Sequence, residues 1–305
     1  MLRATHYGVD VSGLQRISDH VYWLPPAKPD RPSLCAVVGE HATLMLDAGA
    51  SDAHARLFLD ALAVEGVAPP IAVVLTHSDW DHVFGAVEVG APVIAHQLTD
   101  IALAELAATD WSDEALEARV KSGERSPEHA ANIKEELPAP RHVRVARTDI
   151  LFGDGLDLEL GGASVQVRHV GGDHAADSSV IYVKQDRLLF LGDALYESSG
   201  GEAGGAARTF TAERAFPLLD AVSSFDAELY VEGHTDTVMP RVEAVELLDE
   251  IRWAGQFVSR SVAGKRSLDE AAALAAAHED LRAEPTELQA DLIRAFLAGC
   301  DSDAR

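Results

Sequence analysis

Four side chains that can ligate a metal ion fall within six positions: His77, Asp79, Asp81 and His82, in the run Thr76-His77-Ser78-Asp79-Trp80-Asp81-His82. Imidazole nitrogen and carboxylate oxygen are the usual ligands of zinc, iron or manganese. In a loop leaving a strand, side chains two apart share a face. His77 and Asp79 can therefore converge on one ion while Asp81 and His82 turn toward a second. A solvated turn with helix-capping aspartates would use the same residue types, so this run does not decide alone. Three later residues add weight: His174 in Val170-Gly171-Gly172-Asp173-His174, Asp193 in Phe190-Leu191-Gly192-Asp193, and His234 in Tyr230-Val231-Glu232-Gly233-His234. Each follows an apolar run directly. A lone histidine there is usually structural, but several potential ligands in one topological position are not explained that way.

The elements that must position these residues are legible as apolar runs bounded by turn residues. Strands are expected at Val21–Leu24, Leu34–Val38, Thr43–Leu46, Ile71–Leu75 and Pro92–Ala95. Ser51 reads as the N-cap of a helix running to about Glu65, with Leu57, Phe58, Ala61 and Leu62 at helical spacing. Residues Leu98 to Leu137 turn helical and charged, with a break near Ser122–Pro127. A second set of strands is expected at Val143–Ala146, Leu156–Leu160, Val165–Val170, Val180–Val183 and Leu188–Leu191. The Gly-rich stretch Ser198–Gly205 is expected to be a mobile loop, followed by a helix (Glu213–Val222), a strand (Glu228–Val231) and mostly helix to Leu297. Strands then helix, twice over, imply an α/β fold of two sheets packed face to face with helices outside. The polar clusters fall at strand ends, where α/β architectures place their chemistry.

Composition narrows the function. The 305 residues, 47% hydrophobic and 25% charged, suit a soluble globular protein, and one domain spanning 1–305 is expected. No apolar run is long enough to span a membrane, and Met1–Asp10 lacks the features of a signal peptide, so the expected location is cytoplasmic. A formal net charge of −25 repels phosphate backbones and argues against a nucleic-acid partner. The remaining expectation is a small-molecule substrate. Cys35, in an apolar run, and Cys300, in the polar tail, form neither a CxxC pair nor a disulfide framework.

The ordered set of motifs resembles the metallo-β-lactamase superfamily, whose hallmark reads His-x-His-x-Asp-His, then Gly-His, Gly-Asp and a final Gly-His. The match runs from about Val21 to His234, and Leu44-Met45-Leu46-Asp47-Ala48-Gly49 is similar to the family's upstream Asp-x-Gly turn. The resemblance implies a four-layer αβ/βα sandwich with the site at the edge between the sheets. A helical cap insertion would span about 97–140, and C-terminal helices about 240–300. It further implies two divalent metal ions, zinc by preference. His77, Asp79 and His174 would hold the first, Asp81, His82 and His234 the second, and Asp193 would bridge them. Asp47 would orient a ligand histidine, against the alternative of a plain turn residue before Gly49.

The chain also departs from that pattern. Aspartate stands at position 79 where most members carry histidine; it is shorter, harder and anionic, which admits iron or manganese in place of zinc. Asp173 replaces the usual glycine before His174, and Phe84 the first glycine after the main motif.

Two metals about 3.5–4 Å apart lower the pKa of a bound water toward about 7 and give a hydroxide nucleophile. The implied chemistry is hydrolysis of an ester, thioester or lactone. Asp81 would steer the proton to the leaving group, and Tyr196, three residues after Asp193, would contact the substrate carbonyl. The helical segment, with Ser198–Thr209, is expected to cap the site, with Trp111, Arg119 and Arg125 as candidate substrate contacts. One rival reading is a mononuclear non-haem iron enzyme like the superfamily's persulfide dioxygenases, using His77, His174 and Asp193. Another is a non-catalytic metal-binding protein. The apolar stripes of Arg241–Leu297 are compatible with a homodimer or with ordinary core packing.

Overall fold

Successive side chains on a strand face opposite sides of its sheet, and here both faces are apolar. A computed structural model describes residues 13–198, 209–263 and 269–302. The first sheet follows chain order: β1 (Gln15–Arg16), β2 (Val21–Leu24), β3 (Leu34–Val38), β4 (Thr43–Leu46), β5 (Ala72–Val74), β6 (Val93–His96) and β7 (Ile150–Phe152). It is antiparallel as far as β4 and parallel from β4 to β7. The second sheet contains β8 (Gly155–Glu159), β9 (Ser164–His169), β10 (Ser179–Val183), β11 (Leu188–Gly192), β12 (Leu229–Glu232) and β13 (Met239–Pro240), in the order β13-β12-β11-β10-β9-β8. Its one parallel pair is β11 with β12.

Parallel neighbours need crossovers, and helices supply them. The helix α1 (Asp52–Val64) joins β4 to β5; its N-cap Ser51 accepts from the His54 N–H and Glu65 closes it, as its sequence pattern implies. The single turns α2 (Trp80–Val83) and α3 (Ala86–Val89) precede β6, and α4 (Gln97–Ala108), α5 (Asp113–Ser122) and α6 (Pro127–Glu136) precede β7. On the other side of the molecule lie α7 (Ala212–Ser223), α8 (Arg241–Val262), α9 (Glu270–Leu281) and α10 (Glu287–Ser302).

Alternation sorts the strand residues into three apolar layers. Val21, Trp23, Leu44, Leu46 and Val74 meet Val165, Ile181, Phe190 and Val231 between the sheets. Their neighbours Met45, Val73 and Leu75 turn the other way, onto Phe58 and Leu62 of α1 and Ile133 of α6. Val180, Leu189, Leu191 and Tyr230 pack on α7 to α10, which consume the apolar stripes of the C-terminal helices in the core. The result is the four-layer αβ/βα sandwich. None of the described helices is long and apolar enough to cross a membrane.

Two elements differ from the sequence reading. Val143–Ala146 is not a strand: Val143, Val145 and Ala146 pack, partly buried, on the helical side of the first sheet without a ladder partner. The strand comes later, at Ile150–Phe152, and pairs with β6, so it closes the first sheet rather than opening the second. The helical segment is also broken twice, at residues 109–112 as well as 123–126. Of the expected Ser198–Gly205 loop, residues 199–205 lie outside the described residues, as does Met1–Asp10.

Backbone hydrogen bonds clamp the sheets together at one edge. Ser179 N–H donates to Thr76 O at 2.8 Å, and Ser33 N–H donates to Gly233 O at 2.6 Å. Phe190 is fully buried between the sheets. Replacing it by alanine leaves a cavity that neither sheet can close, and Phe190→Ala is expected to lower unfolding stability by about 3–5 kcal/mol in a denaturant titration.

Candidate metal centre

The clamped edge gathers the ends of β4, β5, β9, β11 and β12, and with them every ligand candidate named from the sequence. Ligand-capable atoms of His77, Asp79 and His174 lie within 4.8 Å of one another; so do those of Asp81, His82 and His234, and those of His77, His82 and Asp193. Asp193 is central: its Oδ2 is 3.4 Å from His82 Nε2, 3.5 Å from His174 Nε2 and 3.3 Å from His234 Nε2. Asp79 Oδ2 is 3.3 Å from His174 Nε2 and 3.8 Å from His77 Nε2. Asp81 Oδ2 is 3.2 Å from His234 Nε2 and 3.6 Å from His82 Nε2.

Local chain geometry makes this convergence possible. The β11–β12 register shifts between Phe190 and Gly192, and Gly192 is left-handed at φ 53°. A side chain there would strike Thr76, so glycine is required to turn Asp193 into the site. A Cβ on Gly233 would collide with Asp193 Oδ1. Both glycines of the Gly-Asp and Gly-His motifs are thus there for close approach.

Asp47 controls the histidines from behind. It is fully buried. Its Oδ1 accepts from the Thr76 N–H at 2.7 Å, and its Oδ2 accepts from Thr76 Oγ1 and from His82 Nδ1, both at 2.8 Å. A carboxylate only accepts, so the Thr76 hydroxyl proton is committed to Asp47. Thr76 Oγ1 must then accept from His77 Nδ1, 3.0 Å away. One carboxylate therefore holds both His77 and His82 in the Nδ1–H tautomer, with the Nε2 lone pair aimed into the site. His174 reaches the same tautomer by donating from Nδ1 to Glu197 O at 3.3 Å.

These nitrogen atoms fit a metal. The Nε2 atoms of His77, His82 and His174, and Asp193 Oδ1, are buried without a hydrogen-bond partner. Such atoms are costly unless something binds them. The cluster attracts cations by its charge as well. Burial alone would lower His174 and His234, but the adjacent carboxylates of Asp79, Asp81 and Asp193 outweigh it, pushing His174 up to about 9 and His234 up to about 10. His77, dominated by burial and the neighbouring His82, moves down. Protons and metal ions compete for these nitrogens, so metal affinity rises with pH.

A cavity of about 370 Å³ opens over the cluster, lined by Asp30, Trp80, His129, Tyr196 and Glu197 together with five of the ligand candidates, Asp79, Asp81, His174, Asp193 and His234. The Tyr196 hydroxyl accepts from the His234 N–H at 3.2 Å. Burial, with the charges of Glu232 and Asp193, raises its pKa well above the ordinary phenol range, so it stays protonated. Trp111, Arg119 and Arg125 do not line this cavity. Trp111 packs edge-on against Phe84 at 5.1 Å and carries Arg119 at 5.4 Å. From the helical insertion it is α6 that reaches the cavity, through His129. Asp30, Trp80, His129 and Glu197 were not identified from the sequence. Only Trp80, inside the ligand run, carried a positional signal. Asp173 is a structural tie: its carboxylate accepts from Thr211 N and Oγ1, at 3.0 and 2.9 Å, and so holds the start of α7.

The chain is similar to known proteins in family and in fold. A family model described as the metallo-beta-lactamase superfamily matches residues 29–234. No curated protein matches the sequence. Among solved structures, a metallo-beta-lactamase from Pontibacter korlensis aligns with a TM-score of 0.53 at 18% identity, covering 77% of this chain and 98% of its own. One from Cronobacter sakazakii, a motif mutant, aligns with a TM-score of 0.53 at 14% identity over 96% of each chain. A stereoselective inverting sec-alkylsulfatase from Pseudomonas sp. aligns with a TM-score of 0.67 at 16% identity, covering 93% of this chain and 49% of that one. This chain thus spans about half the length of the alkylsulfatase. At these identities the likeness concerns the fold.

Asparagine tolerates the left-handed backbone of Asp47, at φ 55°, but cannot accept from both Thr76 and His82 at once on equal terms. Asp47→Asn is expected to keep the fold and weaken zinc binding about 10–100-fold, as read by chelator competition. Thr76→Val, which removes one donor to Asp47 and the acceptor for the His77 ring but leaves the His82 contact, is expected to have a smaller effect in the same assay.

Proposed function

Since this chain belongs to the metallo-beta-lactamase superfamily, we propose that it is a binuclear metal-dependent hydrolase acting on an ester, thioester or lactone of a small molecule. The observation that carries the reading is the position of Asp193 Oδ2, within 3.5 Å of histidine nitrogens from both ligand groups. His77, Asp79 and His174 would hold one ion, Asp81, His82 and His234 the other, and Asp193 would be shared. Zinc is the first choice of metal; Asp79 also suits manganese or iron. Bound there, two such ions supply an activated water and Lewis-acid stabilisation of a developing oxyanion.

The chain's own groups complete the chemistry. Asp47 and Thr76 keep the ligand rings in one tautomer throughout, so no ring needs to reorient during turnover. The Asp81 carboxylate takes the proton of the attacking water and returns it to the leaving group. Tyr196, protonated and in the cavity wall, donates to the oxygen of the scissile carbonyl as its charge grows. No serine or cysteine nucleophile is required.

Ligand convergence on the side of Asp81, His82 and His234 favours two ions over the single iron of a persulfide dioxygenase. Elemental analysis of protein purified without added metal is expected to give about two zinc or manganese ions per chain; about one iron would turn the reading to the dioxygenase. His82→Ala is expected to remove one ion and essentially all hydrolysis, and full activity with intact folding would overturn the proposal. Tyr196→Phe is expected to lower kcat on the order of 100-fold with a smaller change in KM, and unchanged turnover on every substrate would remove its catalytic role.

A further inference from the structure

The wall of the cavity carries more negative charge than its ligand role explains. Five carboxylate residues line it: Asp30, Asp79, Asp81, Asp193 and Glu197. Among the described residues, no lysine or arginine does. Two divalent ions would neutralise four carboxylates, and an attacking hydroxide would add a further negative charge. Three of the five are ligand candidates, which leaves Glu197 and Asp30, and of these two it is Asp30 that also lines the neighbouring groove. It is not one of the converging ligand candidates, and its Oδ1 is 3.8 Å from His234 Nδ1, beyond hydrogen-bond reach. Among the described residues one side-chain hydrogen bond reaches it: Asn132 Nδ2, on α6, donates to its Oδ2 at 3.1 Å.

Asp30 also marks a boundary. Together with His234 it lines a second, open groove of about 480 Å³ formed by residues 26–30 and 234–236. A substrate whose carbonyl sits over the cluster would extend past Asp30 into that groove. The groove contains Lys28 as well as Asp236, so the charge preference is set at Asp30, not beyond it. Two aromatic rings, Trp80 and Tyr196, complete the wall.

We infer that the site selects substrates bearing an alkylammonium group a few bonds from the scissile carbonyl, with Asp30 as the residue that recognises the cation. An anionic substrate, such as a carboxylate or sulfate ester, would meet Asp30 and the acidic wall without a compensating base. The chain's net charge of −25 acts in the same direction, attracting cations before they dock. The inference rests on the hydrolase reading for its kinetic reporter, but the recognition itself is an equilibrium property.

The experiment compares two isosteres in the metal-loaded protein: the acetate ester of 2-(trimethylammonio)ethanol and that of 3,3-dimethylbutanol, its uncharged carbon analogue. The ratio of their kcat/KM values cancels any loss common to both. A preference of about 10-fold for the cationic ester is expected in the wild type, shrinking as salt is raised. Asp30→Asn is expected to bring the ratio near one, and Asp30→Glu to restore most of it. The second readout is binding of the corresponding methyl ketones, which cannot be hydrolysed, by calorimetry, with the same ordering expected. Equal rates for the two esters, or a preference that survives Asp30→Asn, would overturn the inference and leave the hydrolase reading standing. Hydrolysis of neither ester, with the cationic ketone still bound in an Asp30-dependent way, would keep the inference and count against the hydrolase.

Discussion

The site depends first on one buried carboxylate. Asp47 has no exposure to solvent, so its charge must be met by hydrogen bonds or it would not be tolerated. The donors that meet it are the Thr76 backbone and hydroxyl and the His82 ring. Satisfying Asp47 is thus the same event as fixing the loop after β5 and aiming its histidines. The carboxylate can do this because its own backbone is left-handed and the neighbouring turn lies close. Ala48 N–H donates to His82 O at 2.8 Å, and Gly85 N–H to Gly49 O at 2.9 Å. A Cβ on Gly85 would clash with Ala48 O. Folding and preparation of the ligands are one process here.

Legibility in the sequence followed the locality of the cause. Strands β2, β3 and β4 and helix α1 were readable to the residue, because burial on both faces and a serine cap leave local marks. The ligand candidates were readable because each sits at a strand end, in a short motif whose glycines the backbone requires. Val143–Ala146 misled because an apolar run packed on helices looks like a strand until its ladder partner is sought. Strands β1 and β13, of two residues each, are too short to leave a pattern. Asp47 was ambiguous between turn residue and ligand support, since only the fold shows what its oxygens accept.

The cavity wall was the least legible part. Asp30 and His129 lie about a hundred residues apart, and only closure of the insertion against the first sheet brings them over the ligands. A second, part-buried network does the closing: Arg31 Nε donates to both Glu136 oxygens, at 3.0 and 2.9 Å, and Ser51 also donates to Glu136. This joins the segment that holds Asp30 to the end of α6 and the cap of α1. Trp111, by contrast, was a plausible contact from its place in the insertion. It became a packing residue because Phe84 stands where the family has glycine, giving the indole an apolar surface.

The departure at position 79 changes more than one ligand. On the proposed assignment, aspartate there gives each metal position two imidazoles and one carboxylate, with Asp193 common to both. The two positions then differ little in donor chemistry and must differ in constraint instead. His77 and His82, one from each group, are both held by Asp47. Asp79 is 41% exposed at the mouth of the site, whereas Asp81 is 6% exposed and packed between two rings. A ligand that loses solvent and freedom on binding holds its ion less firmly than one already in place. On that assignment the Asp79 carboxylate would have to be ordered as its ion binds while Asp81 would already be in place, but the imidazoles run the other way, His234 being 30% exposed and His174 10%.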